Sequence, residues 1–313
     1  MPQWKILITD GLEKTGLAIL REGALVEERP NITPEELLQV VPIYNALVVR
    51  GRTKVNAAVI SAGKQLKVIG RAGVGVDNID LQAAKSCGVV VVNAPLSTTQ
   101  AVAEHTMALL LALSRSIPQA DAGMKSGRWL KKELEGVEIH GKILGIIGLG
   151  NIGSKVAGLA GALGMKPVSY DPQLTDDQIR QRGAEPLDLP DLFDRSDFIT
   201  IHVPLTPQTR GMIDGNAISR MKPGVRLVCA ARGGVIDEAA LVDALETGQV
   251  AGAALDVFGQ EPPGLTALVT HPNVIATPHI AAQTSEAQAR AAQDIASEVI
   301  RALRGEPLRW KVA

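Results

Sequence analysis

Cysteine is scarce in this 313-residue chain; Cys87 and Cys229 are the only two. Two thiols cannot build a disulfide framework or a four-cysteine metal site, and a reduced, cytoplasmic setting is expected. Aromatic residues are equally few, with three Trp, two Tyr and three Phe, too few for a base-stacking platform. Neither sign of charge dominates. Lys and Arg total 32 against 33 Asp and Glu, a net charge of −1, and the lack of a basic excess argues against a nucleic-acid partner. No apolar run reaches the ~18–20 residues that span a bilayer; the best candidate is bracketed by His105 and Ser114, so no membrane partner is expected. Met1-Pro2-Gln3-Trp4-Lys5 runs straight into a strand-like segment and does not read as a signal peptide. Solenoid repeats, low-complexity tracts and long charge blocks are missing too. What remains, 46% apolar and 21% charged residues, is the mix of a globular protein whose length suits about two domains.

Short aliphatic and β-branched runs recur along the chain. They are Lys5–Thr9, Ala46–Val49, Leu66–Ile69, Val89–Val92, Ile143–Ile147, Pro167–Tyr170, Phe198–Val203, Arg226–Cys229, Gly252–Leu255 and Val274–Ala276. Most are apolar at consecutive positions, as strands covered on both faces should be. Helix-like stretches separate most of them. Pro34–Val40 has Thr33 as N-cap and proline in its first turn. Asp237–Glu246 is amphipathic and stops at Gly248. Strand–helix alternation implies parallel sheets with right-handed crossovers, an α/β class. Four strand units precede Asn93-Ala94-Pro95, and a long apolar helix over about Thr98–Leu113 follows. A polar stretch, Gly127–Gly141, then leads to a second series from Ile143 to about Ala281. Ser285–Leu303 reads as one long amphipathic helix that can return to the first domain and make it discontinuous.

Within the second series, the strand Ile143–Ile147 feeds Gly148-Leu149-Gly150-Asn151-Ile152-Gly153, with a helix expected from Ser154. In a G-x-G-x-x-G turn the first glycine permits the tight bend. The second lets a pyrophosphate approach the backbone, and the third lets helix and strand pack closely. Backbone N–H groups at the helix start then face the anion. Such a motif is weak alone, but the next strand ends at Asp171, about 20 residues on, as a dinucleotide site requires. Asp171 can accept from ribose hydroxyls and would repel a 2′-phosphate, and Pro172-Gln173-Leu174 offers no cation to bind one. NAD is expected rather than NADP. The bland reading is that Asp171-Pro172 merely starts a turn.

Three polar residues follow strand ends downstream: Arg232, Glu261 and His279. Ligands in open α/β sheets bind beyond the carboxyl ends of strands, so the three can converge at the cofactor crevice. Their chemistry suits oxidation of a 2-hydroxy acid. A histidine takes the hydroxyl proton as hydride leaves the carbon. A paired carboxylate favours its protonated form. An arginine grips the substrate carboxylate through two parallel hydrogen bonds. Each has an ordinary alternative: a structural histidine, a solvated loop glutamate, a surface ion-pair arginine worth ~0–1 kcal/mol. Metal catalysis is not expected, since His202, His271 and His279 lack ligand spacing and no cysteine pair is available.

These segments resemble the D-isomer-specific 2-hydroxyacid dehydrogenase family. The likeness runs through Gly70–Asn78, Ala103-Glu-His-Thr106, Leu144–Gly153 and His202-Val-Pro-Leu205. It continues through Ala231–Glu238, Ala251–Phe258, Glu261-Pro-Pro263 and Thr277-Pro-His279. The resemblance implies two doubly wound parallel-sheet domains with the active site in a cleft between them. A smaller flavodoxin-like substrate domain would comprise 1–96 and 284–313, and a Rossmann-type NAD domain 97–283. It assigns His279 as acid/base, Glu261 as its partner and Arg232 as the residue orienting the substrate. For the cofactor it implies Gly148, Gly150 and Gly153 in the turn, Asn151 and Ile152 on the pyrophosphate, and Asp171 on the ribose. It places His202, Val203, Pro204, Ala230 and Ala231 along the cofactor, with Arg232, His279, Ala281 and Ala282, and Asp256 near the nicotinamide amide. For the substrate it implies Val74 and Gly75 as backbone donors to the carboxylate, glycines at 73 and 75 freeing an anion nest. Arg50 would face a distal phosphate, assisted by Arg71.

The motifs lie nearest the family members that oxidise 3-phosphoglycerate, so a phosphorylated 2-hydroxy acid is the expected substrate. A glyoxylate or hydroxypyruvate reductase is the alternative, and an NAD(H)-sensing interaction protein a reading from another class. Leu96-Ser-Thr-Thr-Gln100 and Ile280-Ala-Ala-Gln283 depart from the usual pattern near the substrate, and Cys229 stands at a common asparagine position. The chain stops at Ala313, so regulation through an appended C-terminal domain is not expected. The apolar Thr98–Leu113 helix suggests a homodimer built on it, or else a fully covered core helix.

Overall fold

Strands buried on both faces need no polar alternation, and in the computed structural model, which describes residues 4–313, every apolar run named above contributes a strand to one of two parallel sheets. Met1, Pro2 and Gln3, the start of the segment read for a leader, lie outside the described residues. The chain divides into two compact units, Met1–Thr98 with Gln283–Ala313, and Thr99–Ala282.

The first unit runs β1 (Trp4–Ile8), α1 (Lys14–Gly23), β2 (Ala24–Glu28), α2 (Pro34–Val40), β3 (Ala46–Val49), α3 (Ala57–Ala62), β4 (Val68–Arg71), α4 (Leu81–Ser86) and β5 (Val90–Val92). Its sheet order is β2-β1-β3-β4-β5 with every pairing parallel, the flavodoxin-like winding. Strand β2 carries no apolar run that a sequence pattern could show, since Glu27 and Glu28 are exposed and only Ala24 is buried. Thr33 caps α2 in a full capping box with Glu36. One sheet face packs Leu7, Leu47, Val49 and Ile69 against Leu37, Val59 and Ile60.

The second unit opens with α5 (Thr99–Ser114) and α6 (Ile117–Lys125). It continues as β6 (Ile143–Ile147), α7 (Asn151–Ala162), β7 (Lys166–Tyr170), α8 (Asp176–Gln181), β8 (Glu185–Pro186), α9 (Leu189–Arg195) and β9 (Phe198–Ile201). Then come α10 (Gly215–Ser219), β10 (Val225–Cys229), α11 (Glu238–Glu246), β11 (Val250–Leu255), α12 (Ala267–Thr270) and β12 (Val274–Ala276). The sheet order β12-β11-β10-β9-β6-β7-β8 places the topological switch between β6 and β9, where nucleotides bind in such sheets. The two-residue edge strand β8 also escapes the pattern, having too few residues to show one. Most of α5 is core: Val102, Met107, Leu109, Leu110 and Leu113 are buried, and only Leu111 among its large apolar residues is exposed. Its all-round apolar character is therefore met within the chain.

Helix α13 (Ser285–Arg304) rejoins the first unit and covers the other face of that sheet, packing Ile295, Ala296, Val299 and Leu303 with Ile6, Ile8, Val48 and Val68. Small residues let it approach α1. A Cβ on Gly16 would lie 2.5 Å from the Ala292 carbonyl oxygen. Among the described residues no helix is long and apolar enough to cross a membrane, and no group of three or more His, Cys, Asp or Glu could hold a metal ion.

Candidate active site

The turn after β6 shows why glycine stands at each of three positions. Gly148 has φ +89°, and a Cβ there would come within 2.8 Å of the His202 carbonyl oxygen. At Gly153 a Cβ would run into the Gly148 carbonyl. Gly150 is different, because a Cβ there would meet nothing within 4 Å. Fold packing demands the first and third glycines; open space beside the second is what an approaching pyrophosphate needs. Helix α7 starts at Asn151, three residues earlier than expected, with Gly150 as an N-cap that has no side chain to offer. Its first-turn N–H groups are left for an external anion. The loop fits a dinucleotide.

Asp171, after β7, does more than wait for a ribose. Its Oδ2 accepts from Leu149 N at 2.8 Å and its Oδ1 from Gln173 N at 3.0 Å. It therefore starts a turn and also ties that turn to the glycine loop. Arg182 Nη1 holds the other side of the same residue, donating to the Leu149 carbonyl at 2.6 Å. Nothing in the sequence marked Arg182, which lies beyond α8 and reaches the loop only through the fold.

Beyond β9, His202 donates or accepts at Nε2 with Thr200 Oγ1 (3.0 Å), while its buried Nδ1 has no partner within the described residues. Burial alone pulls this imidazole down to about 4, so it is neutral at pH 7. Val203 is partly buried against the core, with Pro204 exposed beside it. Ala230 and Ala281 pack with Val102, against Ile152 and Ala282. That small apolar cluster joins the first turn of α7, the end of β10 and the segment after His279 in one place.

The three candidate catalytic residues follow neighbouring strands β10, β11 and β12. His279 Nδ1 and Glu261 Oε2 are 2.8 Å apart. Glu261 Oε1 accepts from Phe258 N at 3.2 Å, which fixes the carboxylate. The Arg232 loop abuts the same segment, since a Cβ on Gly233 would collide with the Phe258 carbonyl. Arg232 itself is partly buried, with Nη1 donating to the Ala231 carbonyl at 2.7 Å. Burial pushes the nearby Cys229 thiol up, keeping it protonated. His279 has φ +54°, a left-handed conformation that a β-carbon disfavours and that marks functional turns. Its side chain stays 51% exposed, with Nε2 the nitrogen not engaged by Glu261.

Asp256 explains how that turn is held. Its carboxylate is fully buried at the end of β11. Oδ1 accepts from Thr277 Oγ1 (2.6 Å) and Ile280 N (2.9 Å), and Oδ2 from Ala281 N (2.9 Å). Burial works to raise the carboxyl, but hydrogen bonds from His105, Thr277, Ile280 and Ala281 outweigh it and hold the group below its ordinary value.

In the first unit, Arg50 follows β3. Its N–H donates to Asp10 Oδ2 (2.8 Å) and its Nη2 to Gln283 Oε1 (3.1 Å). Asp10 also binds the neighbouring Thr53 and Arg52, and Arg52 is spent on the carbonyls of Thr9, Pro30 and Ile32. Arg71 lies over Gly73, where φ is +144° and a Cβ would overlap the guanidinium. The Val74–Gly75 loop is fastened by Asn93 Nδ2, which donates to the Val74 carbonyl at 2.7 Å. Asp10 carries no mark in the sequence, because it acts 40 positions along the chain, whereas Gln283 belongs to the Ile280–Gln283 stretch already set apart from the usual pattern.

Known proteins share this sequence and fold. Residues 107–281 match the family model "D-isomer specific 2-hydroxyacid dehydrogenase, NAD binding domain", so the cofactor of the second unit is NAD. A D-3-phosphoglycerate dehydrogenase from Synechocystis sp. is 47% identical over 308 residues, covering 98% of this chain and 56% of that protein. The chain thus spans little more than half the length of the curated relatives it matches. The TT0316 protein from Thermus thermophilus is 34% identical, with a TM-score of 0.90 over 99% of this chain and 100% of that one. A D-lactate dehydrogenase from Aquifex aeolicus complexed with NAD and lactic acid is 30% identical, with a TM-score of 0.86 over 96% of both chains.

Proposed function

Because this chain belongs to the D-isomer-specific 2-hydroxyacid dehydrogenase family, we propose that it oxidises D-3-phosphoglycerate to 3-phosphohydroxypyruvate. The observation that carries the reading is the His279–Glu261 pair at 2.8 Å, on a strained turn beside the NAD loop. When bound, NAD accepts the hydride. The first turn of α7 and Gly150 would hold its pyrophosphate, and Asp171 its ribose. His279 takes the substrate's hydroxyl proton at Nε2, and Glu261 at Nδ1 orients the ring and stabilises the charge it acquires. Arg232 grips the carboxylate and polarises the adjacent C–O. Arg50 and Arg71 read the phosphate, with Val74 and Gly75 giving backbone donors. The relatives named D-3-phosphoglycerate dehydrogenase support this substrate, and the free thiols Cys87 and Cys229 suit a reducing cytoplasm.

NADH formation with a panel of D-2-hydroxy acids, and NADH consumption with glyoxylate and hydroxypyruvate, tests the assignment. Arg50→Ala should raise KM for 3-phosphoglycerate about tenfold or more, as loss of a charge-assisted contact implies, and leave KM for D-lactate nearly unchanged. Equal effects on both substrates would remove Arg50 from the phosphate.

The proposed assembly is a homodimer. Leu111, Ile117, Met124 and Trp129 are exposed within one short stretch of the second unit, and an apolar contact with a second copy would cover them. Sedimentation at the mass of one chain at micromolar concentration would refute it.

A further inference from the structure

His105, in Ala103-Glu-His-Thr106, takes no part in the proton transfer proposed for His279 and Glu261. The structure gives this imidazole a specific place. From α5 its Nε2 lies 3.3 Å from Thr277 Oγ1 and 3.5 Å from Asp256 Oδ1. Thr277 commits its hydroxyl proton to Asp256 at 2.6 Å, so its oxygen meets His105 as an acceptor. The carboxylate is an acceptor as well. Nε2 must therefore carry a proton and donate, whichever charge the ring bears.

The consequence reaches His279. Asp256 is wholly buried, and a buried carboxylate persists only where donors surround it. Three of its donors come from the segment that carries the proposed base: Thr277 before it, and Ile280 and Ala281 after it. The remaining one is His105, from a different element. The same carboxylate thus closes the loop around a residue at φ +54°, a conformation kept only where the surroundings over-determine it. We propose that His105 is a positioning residue, which donates through Nε2 to the Asp256–Thr277 pair and so holds the left-handed turn that presents His279. In its catalytic consequence this rests on the dehydrogenase reading above; in its structural content it does not.

Two substitutions separate hydrogen bonding from packing. His105→Leu keeps an apolar side chain of similar bulk and removes the donor. His105→Gln places an amide N–H close to the imidazole Nε2. If His105 positions the turn, H105L lowers kcat about tenfold, while KM for NAD changes less than about threefold and H105Q recovers most of the rate. A role in packing alone predicts the reverse order, with Leu tolerated and Gln impaired. The backbone amide protons of Ile280 and Ala281, each bonded to a carboxylate, give a second reading by NMR of the folded protein. Their resonances should shift in H105L and stay near their wild-type positions in H105Q. The proposal is overturned if both resonances are unmoved in H105L, or if H105Q is as impaired as H105L. Should H105L fail to fold, H105M carries the same comparison. A wild-type protein that oxidises no 2-hydroxy acid, with the amide shifts behaving as described, would sink the dehydrogenase reading and leave the positioning role standing.

Discussion

Replacing Gly150 with alanine should abolish most cofactor binding while leaving the fold intact. The added methyl would meet no protein atom within 4 Å, and φ at this residue is −70°, open to any side chain. Two small effects on stability oppose each other. Alanine is a poorer N-cap than glycine, and its unfolded chain has less entropy to lose; the net change stays within about 1 kcal/mol. Binding is another matter. The methyl occupies the space where a pyrophosphate must approach the α7 N–H groups, and each charge-assisted hydrogen bond lost costs about 1.5–3 kcal/mol. At tenfold per 1.4 kcal/mol, NADH affinity should fall about 10- to 100-fold. Gly158 provides the control on the same helix. It is exposed, and a Cβ there also meets nothing, so G158A should stabilise the protein by up to about 1 kcal/mol without changing NADH binding. Fluorescence titration with NADH and thermal unfolding of both variants decide the matter. If folded G150A binds NADH within about threefold of wild type, the pyrophosphate does not lie over Gly150.

Glu261→Gln keeps a hydrogen-bonding group against His279 but removes the charge; kcat should fall about 10- to 100-fold with NADH affinity unchanged, and an unaltered kcat would dismiss the pair from the chemistry. His202 makes stability depend on pH. Its folded value of about 4 lies below the unfolded 6.5, so the unfolded chain takes up a proton first as pH falls, and stability is lost between pH 7 and 4. Allowing for partial exposure, the loss is about 2 kcal/mol by pH 4.5, and His202→Asn, which cannot titrate, should lose that much less in denaturant melts across the range. Gly16→Ala would push a methyl against the Ala292 carbonyl and should destabilise the first unit by about 1–3 kcal/mol, seen in chemical denaturation; an unchanged midpoint would show that α1 and α13 can part freely.

The strands legible in the sequence are those whose burial leaves a run of apolar residues, as in β3, where all four residues are buried. Strand β2 leaves no such trace because only Ala24 of its five residues is buried, and β8 because two residues are too few to show a pattern. The glycine loop is legible because its motif is local, and the residues beyond β10, β11 and β12 because those strands are neighbours both in the chain and in the sheet. Arg182, Asp10 and the bond from His105 to Asp256 are not. Each joins residues 33, 40 or more positions apart, and a single sequence holds no record of which distant side chains meet. Helix α5 was ambiguous for a related reason: an all-round apolar surface says that the helix is covered without saying by what.

The return of α13 to the first sheet also orders events during synthesis. The Thr99–Ala282 unit is contiguous and emerges from the ribosome with all of its strands in hand. The N-terminal sheet emerges earlier but lacks the helix that covers Ile6, Ile8, Val48 and Val68. Until some two hundred further residues have been translated, that face has only Leu17 and Leu20 of α1 over it, and nascent chains of intermediate length are the ones for which chaperones matter most.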